Sequence, residues 1–288
     1  MTSPDRHTHG DDGAGATEDS VLHLEHGDLH VPQDGPRDAP ALLLVHGSAA
    51  TSRSWDALVP LLASRHRVIR VDLPGHGRSA EPADGDYALP ELGRRLGTAL
   101  DRLGVEHAVA VGHSSGGYAA TALAEERPDL VTALTLVNTG PSLDAFLAPP
   151  SAAAFDPARW PPADEQIRRF ASTAFHEGFP VPQALVDDLR GMSHRAVTEA
   201  MRASTEYLGL RALPDRLVDV RKPLRVIFGA EDRRWRPSSA ADYRVVPGAE
   251  VEMLPGAGHT PILEDPPRTA ALVLSFAQIH DARPPQAR

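Results

Sequence analysis

Short, continuously apolar runs alternate with helix-like stretches between residues 20 and 140. The runs at 41–45, 68–71, 108–111 and 134–137 are apolar at nearly every position. Such runs suit strands buried on both faces, and their alternation with helices predicts a parallel or mixed sheet covered by helical layers. Segments 21–25 and 28–31 suit an opening hairpin ahead of it. The spacing predicts helices over 54–63, 89–103 and 115–126, the last stopping just before Pro128, since the residue preceding a proline disfavours helical backbone.

After residue 140 the alternation breaks, and a segment with several prolines, among them Pro149, Pro150, Pro161 and Pro162, reads as short helices without a strand. Strand-like runs return at 224–228 and 251–254, and a final helix is expected over 266–279. One sheet domain built from 20–140 and 215–280, with a helical cap at 141–214 and disordered tails at 1–19 and 281–288, is the expected organisation. Five of the seven phenylalanines (Phe146, Phe155, Phe170, Phe175 and Phe179) fall in the cap, beside Trp160, Met192, Met201 and Tyr207. A segment this small has little core of its own, so these groups either pack the cap or line a cleft beneath it.

Composition narrows the functional classes. With 41% hydrophobic and 24% charged residues, the 288-residue chain falls in the range of globular proteins. No apolar run approaches the roughly 20 residues of a membrane helix. The 29 Lys and Arg against 39 Asp and Glu give a charge of −10, which repels phosphate backbones and anionic lipid, so neither nucleic acid nor membrane is an expected partner. Absence of cysteine excludes disulfides, thiolate metal sites and a cysteine nucleophile. His7, His9, His23, His26 and His30 match no metal-ligand spacing, and no metal is expected. Residues 1–20 carry no apolar stretch of the secretory type, so a cytoplasmic location is expected.

The sharpest chemical signal is Gly112-His113-Ser114-Ser115-Gly116, a G-x-S-x-G placed after the run 108–111 and before the helix-like segment 115–126. A strand-to-helix turn this tight strains the central residue, and side chains two positions before and after it would collide, which glycine avoids. Ser114 is thereby the candidate nucleophile. A hydroxyl needs a base within hydrogen-bond reach, and His259, in a glycine-rich loop after the last strand, is the best candidate. His46 and His76 also follow strands, but each precedes a glycine and reads as part of its loop. The acid that orients the base should lie between nucleophile and base in the chain. Asp232, after the run 224–228, meets that condition, with Glu231 its nearest rival and Asp144 a weaker one. Two backbone N–H groups are expected to hold the developing oxyanion. One is that of Ser115, at a helix N-terminus; the other is that of Ser48 in the His46-Gly47-Ser48 turn, with Ala49 the fallback.

On these residues the chain resembles the α/β-hydrolase superfamily from about residue 20 to residue 280, in its serine-nucleophile, lid-bearing, esterase-like branch. His46-Gly47 with Trp55, the loop from Asp72 to Ser79, the Ser114 turn, and the pair Asp232 and His259 all occur in that family's order. The resemblance implies an α/β fold with an eight-stranded, mostly parallel sheet flanked by helices, a helical cap inserted after strand 6, and no cofactor. Ser114 argues against haloalkane dehalogenase and epoxide hydrolase chemistry, which require a carboxylate nucleophile.

The function implied is a serine hydrolase acting on an ester-like bond of a small, apolar or aromatic substrate through an acyl-enzyme, as a carboxylic-ester hydrolase. Lactonase, thioesterase, amidase, carbon–carbon bond hydrolase, acyltransferase and cofactor-free perhydrolase chemistry remain open on the same residues. Rivals of another class are a small-molecule receptor built on the same scaffold and a purely structural module. His46, Phe146, Trp160, Phe170 and Phe175 are the candidate pocket-lining side chains. Arg233, Arg234 and Arg236 form either a solvated charge cluster or a site for an anionic substrate group. A small-molecule substrate is the one partner the sequence implies.

Overall fold

The computed structural model describes residues 17–147 and 156–281. Eight strands form one sheet: β1 (Glu18–Leu24), β2 (Gly27–Asp34), β3 (Ala41–Val45), β4 (Arg67–Val71), β5 (Ala108–His113), β6 (Val131–Val137), β7 (Leu224–Gly229) and β8 (Glu250–Leu254). Their spatial order is β1-β2-β4-β3-β5-β6-β7-β8. The opening hairpin joins antiparallel, β2 meets β4 antiparallel, and every later pair is parallel.

Period-two alternation along the strands divides the core. Leu43 and Val45 face one layer with Ile69, Ala110 and Phe228, whereas Leu42 and Leu44 face the other with Val109, Val111 and Ile227. Helices cover both faces: α1 (Val59–Leu62), α2 (Leu89–Arg102), α3 (Gly116–Glu126) and α9 (Pro266–His280). The last of these starts where Asp265 accepts from Arg268 N–H and two prolines occupy the first turn, where no N–H is required.

Between β6 and β7 lie α4 (Asp164–Ala171), α5 (Gln183–Gly191), α6 (His194–Leu210) and α7 (Leu213–Val220), with α8 (Pro261–Glu264) near the chain's end. Among the described residues this excursion adds no strand to the sheet, only the single bridge Phe146 to Trp235. Its own small core joins Ile167, Val186 and Leu189 to Ala49 of the sheet domain. No helix among the described residues is long and apolar enough to cross a membrane.

Three local expectations need correction. The helix expected over 54–63 is a 3-10 turn at Ser52–Trp55 followed by the single turn α1. Pro60 supplies no N–H, so it fits the first turn of α1 but cannot continue a ladder from the Ser52–Trp55 turn, while Trp55 is fully buried. Residues 18 and 19, expected in the tail, open β1, where Glu18 pairs with Gln33 and Asp19 with Pro32. Asp281 caps α9 and accepts from His66 Nε2–H at 3.0 Å. The rest of the two expected tails, 1–16 and 282–288, lies outside the described residues, as does Phe155.

Candidate active site

The turn from β5 into α3 places Ser114 at φ +53°, a left-handed conformation that costs a non-glycine residue free energy. Its neighbours allow the turn to close. A Cβ on Gly112 would lie 2.5 Å from the Gly116 carbonyl oxygen, and one on Gly116 would lie 2.2 Å from that of Val45. Ser114 N–H donates to Val137 O (2.9 Å), and Thr139 Oγ1 donates to Ser114 O (3.0 Å), so the strained residue is fixed from both sides.

The loop after β8 brings His259 to this turn. Its Nδ1–H donates to Asp232 Oδ2 at 2.9 Å, because an ionised carboxylate can only accept. Nε2 is then the acceptor for the Ser114 hydroxyl, also at 2.9 Å. Imidazole and carboxylate are both buried.

Asp232 is held by more than the histidine. Its Oδ1 accepts from Arg234 N–H (2.7 Å) and Trp235 N–H (3.1 Å), and its Oδ2 from Asn138 Nδ2 (2.8 Å). Burial alone would push this carboxyl up, but His259, Asn138 and the Arg234 N–H outweigh it and hold it below the usual carboxylate range. Glu231, the rival acid, is exposed and contributes only its N–H, to Ala257 O. Asp144 is also exposed and accepts from Ser142 Oγ–H at 2.5 Å.

Two supports were not legible as functional in the sequence. Asn138, at φ +47° just past β6, also donates to Gly258 O (3.1 Å) and accepts from Gly229 N–H (3.2 Å), so one side chain locks together the loops carrying acid and base. A polar residue directly after an apolar strand, beside the expected nucleophile turn, was its only signal. The buried carboxylate of Glu264 accepts from Gly258 N–H (3.0 Å) and Thr260 N–H (2.9 Å), which flank His259, and from His176 N–H (2.7 Å) in the excursion between β6 and β7.

The other histidines near the site are structural. His113 Nε2–H donates to the His259 carbonyl (2.9 Å), and burial pushes its pKa down to about 3, with His259 adding to the shift. His46 Nδ1–H donates to Gly47 O (2.8 Å), while Nε2 accepts from Leu73 N–H (2.9 Å). Among the described residues no group of three or more His, Asp or Glu side chains is arranged to hold a metal ion.

For the oxyanion, Ser115 N–H at the start of α3 has no acceptor among the described residues, as a donor for a substrate oxygen requires. Ser48 N–H is already engaged: it donates to Ser115 Oγ at 2.7 Å, and the two hydroxyls lie 2.8 Å apart. Ala49, the fallback, has φ +56°.

The cleft above Ser114 has apolar walls from Ala49, Phe170, Leu185, Leu189 and Leu263, with Arg234 a charged member. Four of the five side chains expected to line it lie elsewhere. His46 is sealed within its loop, and Phe175 is fully buried and stacked on Phe179 at 5.0 Å. Phe146 is 45% exposed and packs edge-on against Trp235, and Trp160 donates through Nε1 to Met192 O at 2.7 Å. Phe170 does line the cleft. Composition placed the aromatic groups in the right segment without indicating which way each faces; Phe175 and Trp160 pack within it, and Phe146 packs on Trp235 outside it.

A model described as the alpha/beta hydrolase family matches residues 42–272. Pimeloyl-[acyl-carrier protein] methyl ester esterase of Aromatoleum aromaticum is 32% identical, over 81% of this chain and 96% of its own. A hydrolase from Pseudomonas aeruginosa PA01 is structurally similar, with TM-score 0.72 and 28% identity, covering 91% of this chain and 99% of that one. The 2-hydroxy-6-oxo-6-phenylhexa-2,4-dienoate hydrolase of Rhodococcus sp. strain RHA1 shares the fold at TM-score 0.77 and 22% identity, over 91% and 99% of the two chains.

Proposed function

This chain belongs to the alpha/beta hydrolase family, and from that premise we propose that it is a serine hydrolase cleaving an ester-like bond of a small organic substrate through an acyl-enzyme. The observation that carries the reading is the continuous relay from Ser114 Oγ through His259 to Asp232, with 2.9 Å at each step. A hydroxyl paired with a neutral imidazole, itself oriented by a buried carboxylate, is the arrangement that makes serine nucleophilic near neutral pH.

In the first half-reaction Ser114 Oγ attacks the carbonyl carbon as its proton passes to His259 Nε2. The carbonyl oxygen takes up negative charge, for which Ser115 N–H and Ser48 N–H are the donors. Collapse of the tetrahedral adduct breaks the ester C–O bond, and His259 returns its proton to the departing alcohol. Water then attacks the acyl carbon while His259 takes one of its protons. The acid departs, Ser114 recovers its hydrogen, and the net change is ester plus water to acid plus alcohol.

Kinship with a methyl ester esterase at 32% identity supports an ester over other acyl compounds, and the apolar walls of the cleft favour an apolar acyl or alcohol portion. The test is multiple turnover of a chromogenic ester by the wild type and by Ser114→Ala, with circular dichroism of both. Ser114→Ala is expected to keep the fold and lose turnover by about 10⁶-fold. Retention of most of the activity would overturn the assignment.

A further inference from the structure

Arg234 sits two residues past the triad acid and lines the same cleft as Ser114 and His259. Arg233 and Arg236, its neighbours in the sequence cluster, are exposed. Arg234 Nε–H donates to Thr173 Oγ1 and Nη2–H to Phe170 O, both at 3.3 Å, and its guanidinium carbon is 5.2 Å from the Phe170 ring centroid. These partners are neutral and the hydrogen bonds long. Among the described residues no carboxylate oxygen pairs with the guanidinium within 4.0 Å, and Asp232, already engaged by His259, acts on it only at longer range.

Buried arginines elsewhere in the chain are provided for. Arg70 meets Asp34 and Asp56, Arg95 meets Glu91 and Asp84, and Arg225 meets Glu250. Arg67, without a carboxylate, spends Nε and Nη2 on Gln33 Oε1 at 3.1 and 2.8 Å. Arg234 therefore presents a cation, partly withdrawn from water and with unspent donors, in the wall of a cleft whose other lining away from Ser114 and His259 is mostly apolar. Removing a charge from water is unfavourable unless a counter-charge meets it. A planar guanidinium is the side chain best matched to a carboxylate, through paired N–H donors.

We propose that the cleft takes an ester carrying one carboxylate away from its scissile bond, with Arg234 as the counter-ion of that group. A single cation matches a single anion, whereas a phosphate monoester brings nearly two charges into a chain of net charge −10. The proposal rests on the hydrolase reading above and adds the charge of the substrate to it.

Two matched ester pairs test it. Nitrophenyl hemiglutarate against nitrophenyl pentanoate places the charge on the acyl part; the butyrate ester of a hydroxybenzoate against phenyl butyrate places it on the alcohol. The wild type is expected to favour the charged member of at least one pair by tenfold or more in kcat/KM. Arg234→Gln should cut that ratio at least tenfold, and Arg234→Lys should restore part of it. A residue that only ties the cap to the core would change both members of a pair alike and leave the ratio unmoved. A wild-type ratio at or below one for both pairs overturns the proposal whether or not the variants fold, and so does a ratio indifferent to Arg234→Gln. Calorimetric titration of the Ser114→Ala protein with the same esters keeps the two readings apart. Tighter binding of the charged ester without turnover by the wild type would retain the anion site and remove the hydrolase, whereas turnover with no charge preference would do the reverse.

Discussion

The backbone N–H of Ser48 donates to the Ser115 hydroxyl at 2.7 Å, so one of the two expected oxyanion donors is occupied before substrate arrives. A carbonyl oxygen entering between Ser48 N–H and Ser115 N–H must displace that hydroxyl. The net worth of such a hydrogen bond is about 0.5–1.5 kcal/mol, which corresponds to roughly a two- to twelve-fold change in an equilibrium constant. Ser115→Ala is therefore expected to raise kcat/KM severalfold on a small ester. A fall instead would mean that the hydroxyl turns and donates to the oxyanion itself. Steady-state kinetics on one ester separate the two outcomes.

The acid assignment makes a sharper distinction. Asp232→Asn keeps the size of the side chain but removes the acceptor that fixes the Nδ1–H tautomer of His259, and kcat should fall by about 10³- to 10⁴-fold. Glu231→Gln, one residue away and exposed, should change kcat less than threefold, within the noise of about one weak contact. A larger loss at Glu231 than at Asp232 would reverse the assignment.

Stability should depend on acid through two buried rings. Burial holds His113 at about 3 and His76 at about 4, against an ordinary 6.5. Between those values and 6.5 the unfolded chain binds protons that the folded one refuses, so stability falls as pH falls. Each ring contributes about 1.4 kcal/mol per pH unit inside its window, so the two together give about twice that slope. Urea unfolding at steps from pH 7 to pH 4.5 reads this slope, and His113→Gln should remove about half of it. An unfolding midpoint flat across that range would contradict the assignment of both rings as neutral.

Much of the frame was legible in the sequence. Continuous apolar runs marked β3, β5 and β7 closely, because a strand buried on both faces is filled mostly by apolar side chains, with Arg225 of β7 tolerated by its pairing to Glu250. Gly112 announced the turn at Ser114 because the collision it relieves, with Gly116 O, lies within five residues, whereas Gly116 makes room for the distant carbonyl of Val45. Asn138 was not legible in the same way: its function is to bridge loops 94 and 120 residues away in sequence, and nothing in its own neighbourhood reports that. The aromatic side chains between β6 and β7 were not legible for a related reason. Whether Phe170 faces the cleft or packs like Phe175 depends on how short helices settle against one another, and composition carries no direction. Arg234 shows the same limit from the other side, since of three arginines close together in sequence two are exposed and one lines the cleft.

The proposed reaction turns on Ser114 as the activated oxygen of the chain. Its most direct test is reaction with a fluorophosphonate, read by intact mass and peptide mapping. One adduct per chain, located on Ser114 and prevented when His259 is replaced by alanine, is the expected result. Full ester turnover by a chain whose Ser114 stays unlabelled, or labelling at another serine that abolishes activity, would contradict it.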